Sequence, residues 1–306
     1  MLKFITKNIL ISLINILVLI SITFLLFDIL PSDPIKVRLG FRYNEKDAKV
    51  LREKYQLDKP LFYRFLVYIY NIFSGDFGKS IILGYDVLDL IKIKAPKSLK
   101  LILISFIFSL PFVPLGFILG YFNKGIAIER FLFFVAIIPV FIIASLIIFI
   151  SIIFFKVSLT SEKLNFIDYV IPSLVLSIFP SFIIFKTIRE NTQKISNKLF
   201  ITAHKAFGFS EKDIILKFIP KNISTPAISL ISNLSLYYLS TIYVVEFAFG
   251  INGIGELAVS SALNYDFPVV IGVAILVSII YNLINILTKV LIAITNKAYI
   301  YEISKL

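Results

Sequence analysis

The chain has 306 residues, of which 58% are hydrophobic, and a mean hydropathy of +0.92. Soluble domains carry about 45–50% apolar residues, so this composition is that of a membrane protein. There is no cysteine and a single histidine, which excludes disulfides, thiolate metal sites and cysteine nucleophiles and leaves no second imidazole for a metal site. The net charge of +12 fits lysine in cytosol-facing loops and near lipid headgroups, not nucleic acid.

The N-terminal "MLKFITKNIL" is basic and then apolar. The apolar run continues to Leu30 without an Ala-x-Ala-like cleavage site, so it predicts a retained spanning helix, not a signal peptide. A spanning helix needs about 20 mostly apolar residues. Six stretches qualify, approximately 9–30, 99–121, 131–155, 169–188, 226–249 and 268–291. Three segments follow: an N-terminal spanning helix (1–30), a helical insert (31–98) and a five-helix core (99–306) that includes the loop 189–226.

Within the insert, "NEKDAKVLREKYQLDKPLFYRFLVYIYNIF" predicts two helices broken at "QLDKP". Ala48, Leu51 and Tyr55 recur at helical spacing in the first. Pro60 suits the first turn of the second, with Leu61, Phe65, Tyr68 and Ile72 on one face. That face suits the bilayer surface, the outer mouth of a channel, an external partner or a packed cap. "SGDFGKS" (74–80) ends as a phosphate-binding loop does, but Phe73 stands where the loop's first glycine is needed. It is expected to be a turn in which Gly75 and Gly78 adopt positive φ.

The third stretch carries no charge. Prolines 111, 114, 139, 172 and 180 remove backbone donors within spans and are expected to kink them. Lys186 and Arg189 are expected to snorkel to cytosolic headgroups. The loop 189–226 predicts a short amphipathic helix over about 198–207 closed by Gly208, then Ser210 capping a second helix with Asp213 three residues on, while Pro220 and Pro226 bracket the start of the fifth span. In that span Ser229, Asn233, Tyr237 and Ser240 share a face, and in the sixth so do Ser278, Asn282 and Asn285. These stripes are candidates for a solute pathway or for close helix packing. Glu246 is placed near the external end of its span, within reach of interfacial water or at an outer gate.

Lysine and arginine in short loops set orientation. Lys3 and Lys7, then Lys124 and Arg130, then the lysines of 194–221 fall on one side, and no Lys or Arg occurs from Asn222 to Thr288. Both termini are therefore expected to be cytoplasmic. The insert, longer than about 60 residues, translocates despite its charge.

"TAHKAFG" (202–208) resembles the cytoplasmic loop signature of ABC importer permeases, Glu-Ala-Ala, three residues, then Gly, in its dipeptide, oligopeptide and nickel version. "PKNISTP" (220–226) is similar to that group's Leu-Arg-Asn-Ala-Leu-x-Pro. "LPSDP" (30–34), "YQLDKPLFYRF", "GDFGKS", "EFAFGINGIGEL", "YDFPVVIG" and "YNLIN" resemble further motifs of the group in the same order. Thr202 replaces the acidic residue, Asn252 replaces a proline, and the tail "NKAYIYEISKL" lacks the group's Asp-Pro-Arg ending.

The resemblance implies an all-α polytopic protein of the type I (MetI-like) ABC importer permease fold, with six transmembrane helices and a long external insert. It implies a permease subunit in the bacterial inner membrane that passes peptides, the alternative being nickel or a metal chelate, and a self-contained secondary transporter being the rival class. The chain itself is expected to be no enzyme, to bind no cofactor or metal, and to depend on ATP used by partners. Those partners are a second homologous permease, two cytosolic ABC ATPases and a substrate-binding protein, in a lipid bilayer. Thr202, Ala203, His204, Lys205, Ala206 and Gly208, with Pro220, Lys221 and Asn222, are the implied ATPase-coupling residues.

Overall fold

The computed structural model describes residues 2–29, 33–156 and 167–296, so "LPSDP" falls partly, and the tail after Asn296 wholly, outside them. The described residues are helical: α1 (Leu2–Ile29), α2 (Pro34–Leu39), α3 (Glu45–Lys54), α4 (Leu61–Phe73), α5 (Val87–Ser109), α6 (Phe112–Tyr121), α7 (Ile126–Ala136), α8 (Val140–Ile150), α9 (Val170–Ser196), α10 (Leu199–Ala206), α11 (Glu211–Asp213), α12 (Ile219–Phe249), α13 (Ile254–Leu263) and α14 (Phe267–Thr295). π-helical turns follow α8 (Ser151–Phe155) and α11 (Ile214–Phe218).

Among the described residues five helical stretches are long and apolar enough to span a membrane, and a bent pair makes a sixth if it counts as one span. The second begins at Val87, not near 99, and runs to Tyr121 with its interruption at Leu110 and Pro111. Pro111, without an N–H, caps the new helix α6. The stretch expected as one uncharged span over 131–155 is two helices, Ile126–Ala136 and Val140–Phe155, bent by 82°. Pro139 takes an extended ψ of 134° at the start of α8, which no helix interior accommodates. Pro220 and Pro226 do not break the chain at the fifth span, because the helical run is continuous from Glu211 to Phe249 through a π-helical turn. Pro220 lies in the first turn of α12 and Pro226 inside it.

The chain divides into two compact units. One comprises the described residues of Met1–Asn8, Lys100–Gly250 and Tyr281–Leu306. Its centre is α9, whose buried face includes Val175, Leu176, Phe182, Ile184, Phe185 and Ile188. Lipid supplies no hydrophobic drive between helices, so close approach must come from small residues. Gly116 and Gly120 of α6 supply it. A Cβ at Gly116 would stand 2.8 Å from the Phe185 carbonyl oxygen, and one at Gly120 would collide with that of Arg189. The same closeness overturns the snorkelling expected of Arg189. Its side chain is buried, its Nε donates to Glu129 at 2.6 Å and its Nη1 to Gln193 at 3.1 Å. Lys186 lies over the Phe182 ring, 5.8 Å from its centroid. Glu246 is fully buried as well, and does not reach interfacial water.

The other unit comprises the described residues of Ile9–Leu99 and Ile251–Ile280. Ala48 packs with Ile35 and Ile81, joined by Leu51 and Tyr55, as their spacing predicts. Phe65, Tyr68 and Ile72 of α4 pack against Ile20, Ile271 and Ile275, so the predicted face is covered by protein. Gly75 and Gly78 have φ of +83° and +77°. Ser80, the last residue of "SGDFGKS", donates to the Asp266 carboxylate at 2.5 Å, and the Ile81 N–H donates to the same group at 2.9 Å. Burial raises the Asp266 pKa, and these hydrogen bonds offset part of that rise.

Candidate functional site

The loop 189–226 lies within the α9-centred unit and folds around the helix expected there. α10 covers Leu199–Ala206 and ends at Gly208, whose φ of +83° suits a residue without Cβ. The Phe209 N–H donates to the His204 carbonyl at 3.1 Å, and the Gly208 N–H to the Lys205 carbonyl at 3.0 Å. This is the paired closure of a Schellman motif, which satisfies the last carbonyls of the helix. Ser210 then caps α11, accepting from the Asp213 N–H at 3.1 Å and donating to its carboxylate at 2.6 Å. Hydrogen bonds from Lys217 and then Ser210 hold that carboxyl below its ordinary range.

α10 is seated by one face only. Ile201 is buried, and His204 is half-buried with its Nδ1 2.6 Å from the Phe200 carbonyl oxygen. The imidazole packs against Phe218 and Phe209, at centroid distances of 4.3 and 5.2 Å. Phe218 ends the π-helical turn that leads into α12, so the His204 ring joins the short helix to the base of a long one. On the outer side Leu199 is 87% exposed and Phe207 82%, with Thr202, Ala203, Lys205 and Ala206 exposed between them. Large apolar residues bracketing small ones make a face that a groove on another protein can receive.

Lys221 and Asn222 are also exposed, and the Asn222 amide donates to the Phe218 carbonyl at 2.8 Å. Together with Phe200, Phe218, Thr225 and Asn296 they line a cavity of about 440 Å³, so the first turn of α10 and "PKNISTP" border the same space. Pro220 is partly buried in the first turn of α12. Sequence reasoning missed Phe209, Phe218 and Asn296. The repeated phenylalanines of "AFGFSEKDIILKF" were the available signal.

The two polar stripes differ in surroundings. In α12, Asn233 and Ser240 are exposed and Ser229 and Tyr237 half-buried, on the side away from the buried Leu230, Leu234, Tyr238 and Ile242. Tyr237 stacks on Phe179 at 4.7 Å and lines a cavity of about 240 Å³ beside the bend at Pro139. In α14, Asn282 is buried, and Asn285 accepts from Ser232 of α12 at 3.3 Å. Ser278 is half-buried and, like Asn282, engaged with other groups. The α14 stripe therefore makes helix contacts, whereas the α12 stripe is open. Among the described residues no three His, Cys, Asp or Glu side chains gather as a metal would require.

Residues 112–301 match the family described as "Binding-protein-dependent transport system inner membrane component", and residues 1–85 its N-terminal counterpart. The chain is 25% identical over 304 residues to a dipeptide transport system permease protein of Lactococcus lactis subsp. cremoris, covering 97% of this chain and 98% of that one. It is 30% identical over 275 residues to the dipeptide permease protein of Bacillus subtilis, covering 87% of each. Against a glutathione transport system permease protein of Escherichia coli strain K12 it is 27% identical over 311 residues, covering 99% of this chain and all of that one.

Proposed function

The chain belongs to the family of inner-membrane components of binding-protein-dependent transport systems, and we propose that it forms, in an ABC importer, one half of a membrane pathway for peptides. Membership makes it an inner-membrane permease subunit whose transport is driven by partner ATPases and supplied by a substrate-binding protein. The peptide assignment follows the dipeptide and glutathione permeases above. None of these relatives is named for nickel.

The observation that carries the reading is α10, a helix clamped on one face by His204 and largely exposed on the other, where the Lys205 ammonium lies 5.9 Å from the Tyr121 ring centroid. In the proposed assembly this helix, with Thr202, Ala203, Lys205 and Ala206 outward, enters a groove on one of two cytosolic ATPases, and Lys221 and Asn222 flank it. Closure of the ATPase pair around ATP moves α10, and the spans switch between inward- and outward-facing states. A second homologous permease completes the pathway, with the α12 stripe of Ser229, Asn233, Tyr237 and Ser240 turned toward the solute. Both termini lie in the cytoplasm and the insert outside.

Gly208→Val tests the coupling. A β-branched residue at φ +83° is strained, so the variant should reach the membrane yet lose peptide uptake while ATP hydrolysis continues. Normal coupled uptake by Gly208→Val would defeat the assignment. Substrate class is read separately, by uptake of labelled dipeptide against nickel in a deletion strain complemented with this chain. Nickel uptake without dipeptide uptake would reverse the choice. Peptide transport by the chain in vesicles lacking any ATPase would make it a secondary transporter.

A further inference from the structure

The permease reading leaves unused the outer side of α4 and a cavity beside it. α4 carries apolar side chains around its circumference. Phe65, Tyr68, Ile69 and Ile72 pack inward, while Phe62, Tyr63, Leu66, Tyr70 and Phe73 are exposed. At 13 residues the helix is about 20 Å long, too short for a hydrocarbon core of about 30 Å. Phe24, near the end of the apolar run Thr6–Leu26 of α1, lies 5.4 Å from the Phe65 ring and 6.1 Å from that of Tyr68. α4 is thereby held level with the end of a spanning helix, where aromatic side chains favour the boundary between headgroups and acyl chains.

The cavity, of about 230 Å³, lies in the same unit. Phe24, Phe267 and Ile271 give it apolar wall, Lys54, Arg64 and Lys79 give it positive charge, and no carboxylate among the described residues lines it. The Lys79 ammonium is also 3.6 Å from Asp86, and the Arg64 guanidinium, itself engaged with other groups, sits over the Phe24 ring at 5.6 Å. Tyr68 lines the cavity too, and its buried hydroxyl has no hydrogen-bond partner among the described residues. Burial, with the Asp76 charge adding to it, keeps that hydroxyl protonated. It is a donor without an acceptor, and leaving it so is costly.

We propose that this cavity holds the phosphate of an anionic phospholipid from the leaflet at the C-terminal end of α1. The phosphate oxygens accept from Tyr68 and are balanced by Lys54, Arg64 and Lys79, while the acyl chains lie along the exposed side chains of α4 and α1. The cations and the orphan hydroxyl fit an oxyanion. The neighbouring lipid-facing apolar surface favours an oxyanion that carries acyl chains over a free one.

The test is native mass spectrometry of the full chain, delipidated in detergent and titrated with phosphatidylglycerol or phosphatidylcholine. Phosphatidylglycerol should be retained in preference, and Tyr68→Phe and Lys54→Gln should each lower its occupancy several-fold. Tyr68→Phe keeps the ring packing and removes only an unsatisfied hydroxyl, so its melting temperature without added lipid should be no lower than that of the parent. Equal retention by the parent and both variants, or equal retention of the two lipids, would overturn the site. Displacement of phosphatidylglycerol by inorganic phosphate would reassign it to a free anion, and displacement by a dipeptide to the transported solute. Either result sinks the lipid proposal.

Discussion

Arg189 shows how a charge enters the interior of a membrane protein. Its guanidinium is nine-tenths buried and shares two hydrogen bonds with Glu129 and Gln193. Gly125 leaves the space its side chain occupies, a Cβ there falling 3.2 Å from the Arg189 Cδ. Removing one member of such a pair strands the other, at a cost of about 3 kcal/mol. Arg189→Met should therefore lower the melting temperature of the purified permease clearly, and Arg189→Met with Glu129→Leu should recover most of the loss. Equal destabilisation by the single and double variants would show that the pair does not act as a unit. Nothing local announced this arrangement, because Glu129 is 60 residues away in sequence and an arginine at the end of an apolar stretch ordinarily reads as a headgroup contact. His204 was legible in part. As the sole histidine it had no metal partner, but the motif grouped it with the ATPase-coupling residues, and its packing against Phe209 and Phe218 was not foreseen.

At the scale of elements, legibility followed the range of the interaction. The periodicities of α3 and α4, the positive φ of Gly75 and Gly78, the closure of α10 at Gly208 and the Ser210 cap are local, and each is visible in a window of a few residues. The 82° bend between α7 and α8 was not. A uniformly apolar run has no periodicity to break, and a proline announces a kink without its size. The anchoring of the 74–86 turn was hidden for another reason, since Ser80 and Asp266 are 186 residues apart. Asp266→Ala leaves the Ser80 hydroxyl and the Ile81 N–H without their acceptor, a loss of about 2 kcal/mol or more. The expected result is faster proteolytic cutting within 31–98 while the spanning helices stay protected, and an unchanged cutting rate would refute the anchor.

Asp33 and Arg52 tie α2 to α3 in the same insert. Burial opposes ionisation of Asp33, but the hydrogen bond from Arg52, that from the Ile35 N–H and the Arg52 charge outweigh it, so its pKa is lowered. A carboxyl depressed by folding stabilises the fold above its ordinary value of about 4 and ceases to do so as pH falls through the folded value. Asp266, raised by burial, works in the opposite sense, since its protonation relieves a cost as pH falls. Comparing the parent with Arg52→Gln isolates the first effect. The gap between their melting temperatures should be widest near about pH 6 and should shrink toward about pH 3; a constant gap would contradict the assignment.

For the molecule as a whole, family and fold were legible because several weak motifs occur in one order, while the residues that position α10 were not, because the motifs name the helix and not what holds it. The α10 surface gives the whole-molecule prediction. Leu199→Ser and Phe207→Ser each remove an exposed apolar group that touches no buried core, so the melting temperature should hardly change. Co-purification with the ATPase subunits should fall several-fold in each, and most in the double variant. Retention equal to the parent would place the ATPase contact elsewhere.

The unbroken run from Glu211 to Phe249 has a mechanical consequence. Thirty-nine residues of helix form a rod about 58 Å long, and the His204 and Phe218 contact fastens α10 near one end of it. The rod is a lever with its handle at α10. A tilt of about 10° at the handle sweeps the far end through about 10 Å, and Glu246 lies close to that end, sealed from solvent. In the proposed coupling, a displacement of a few ångströms at the surface helix would be delivered, enlarged, to a buried carboxylate at the opposite end of the same helix.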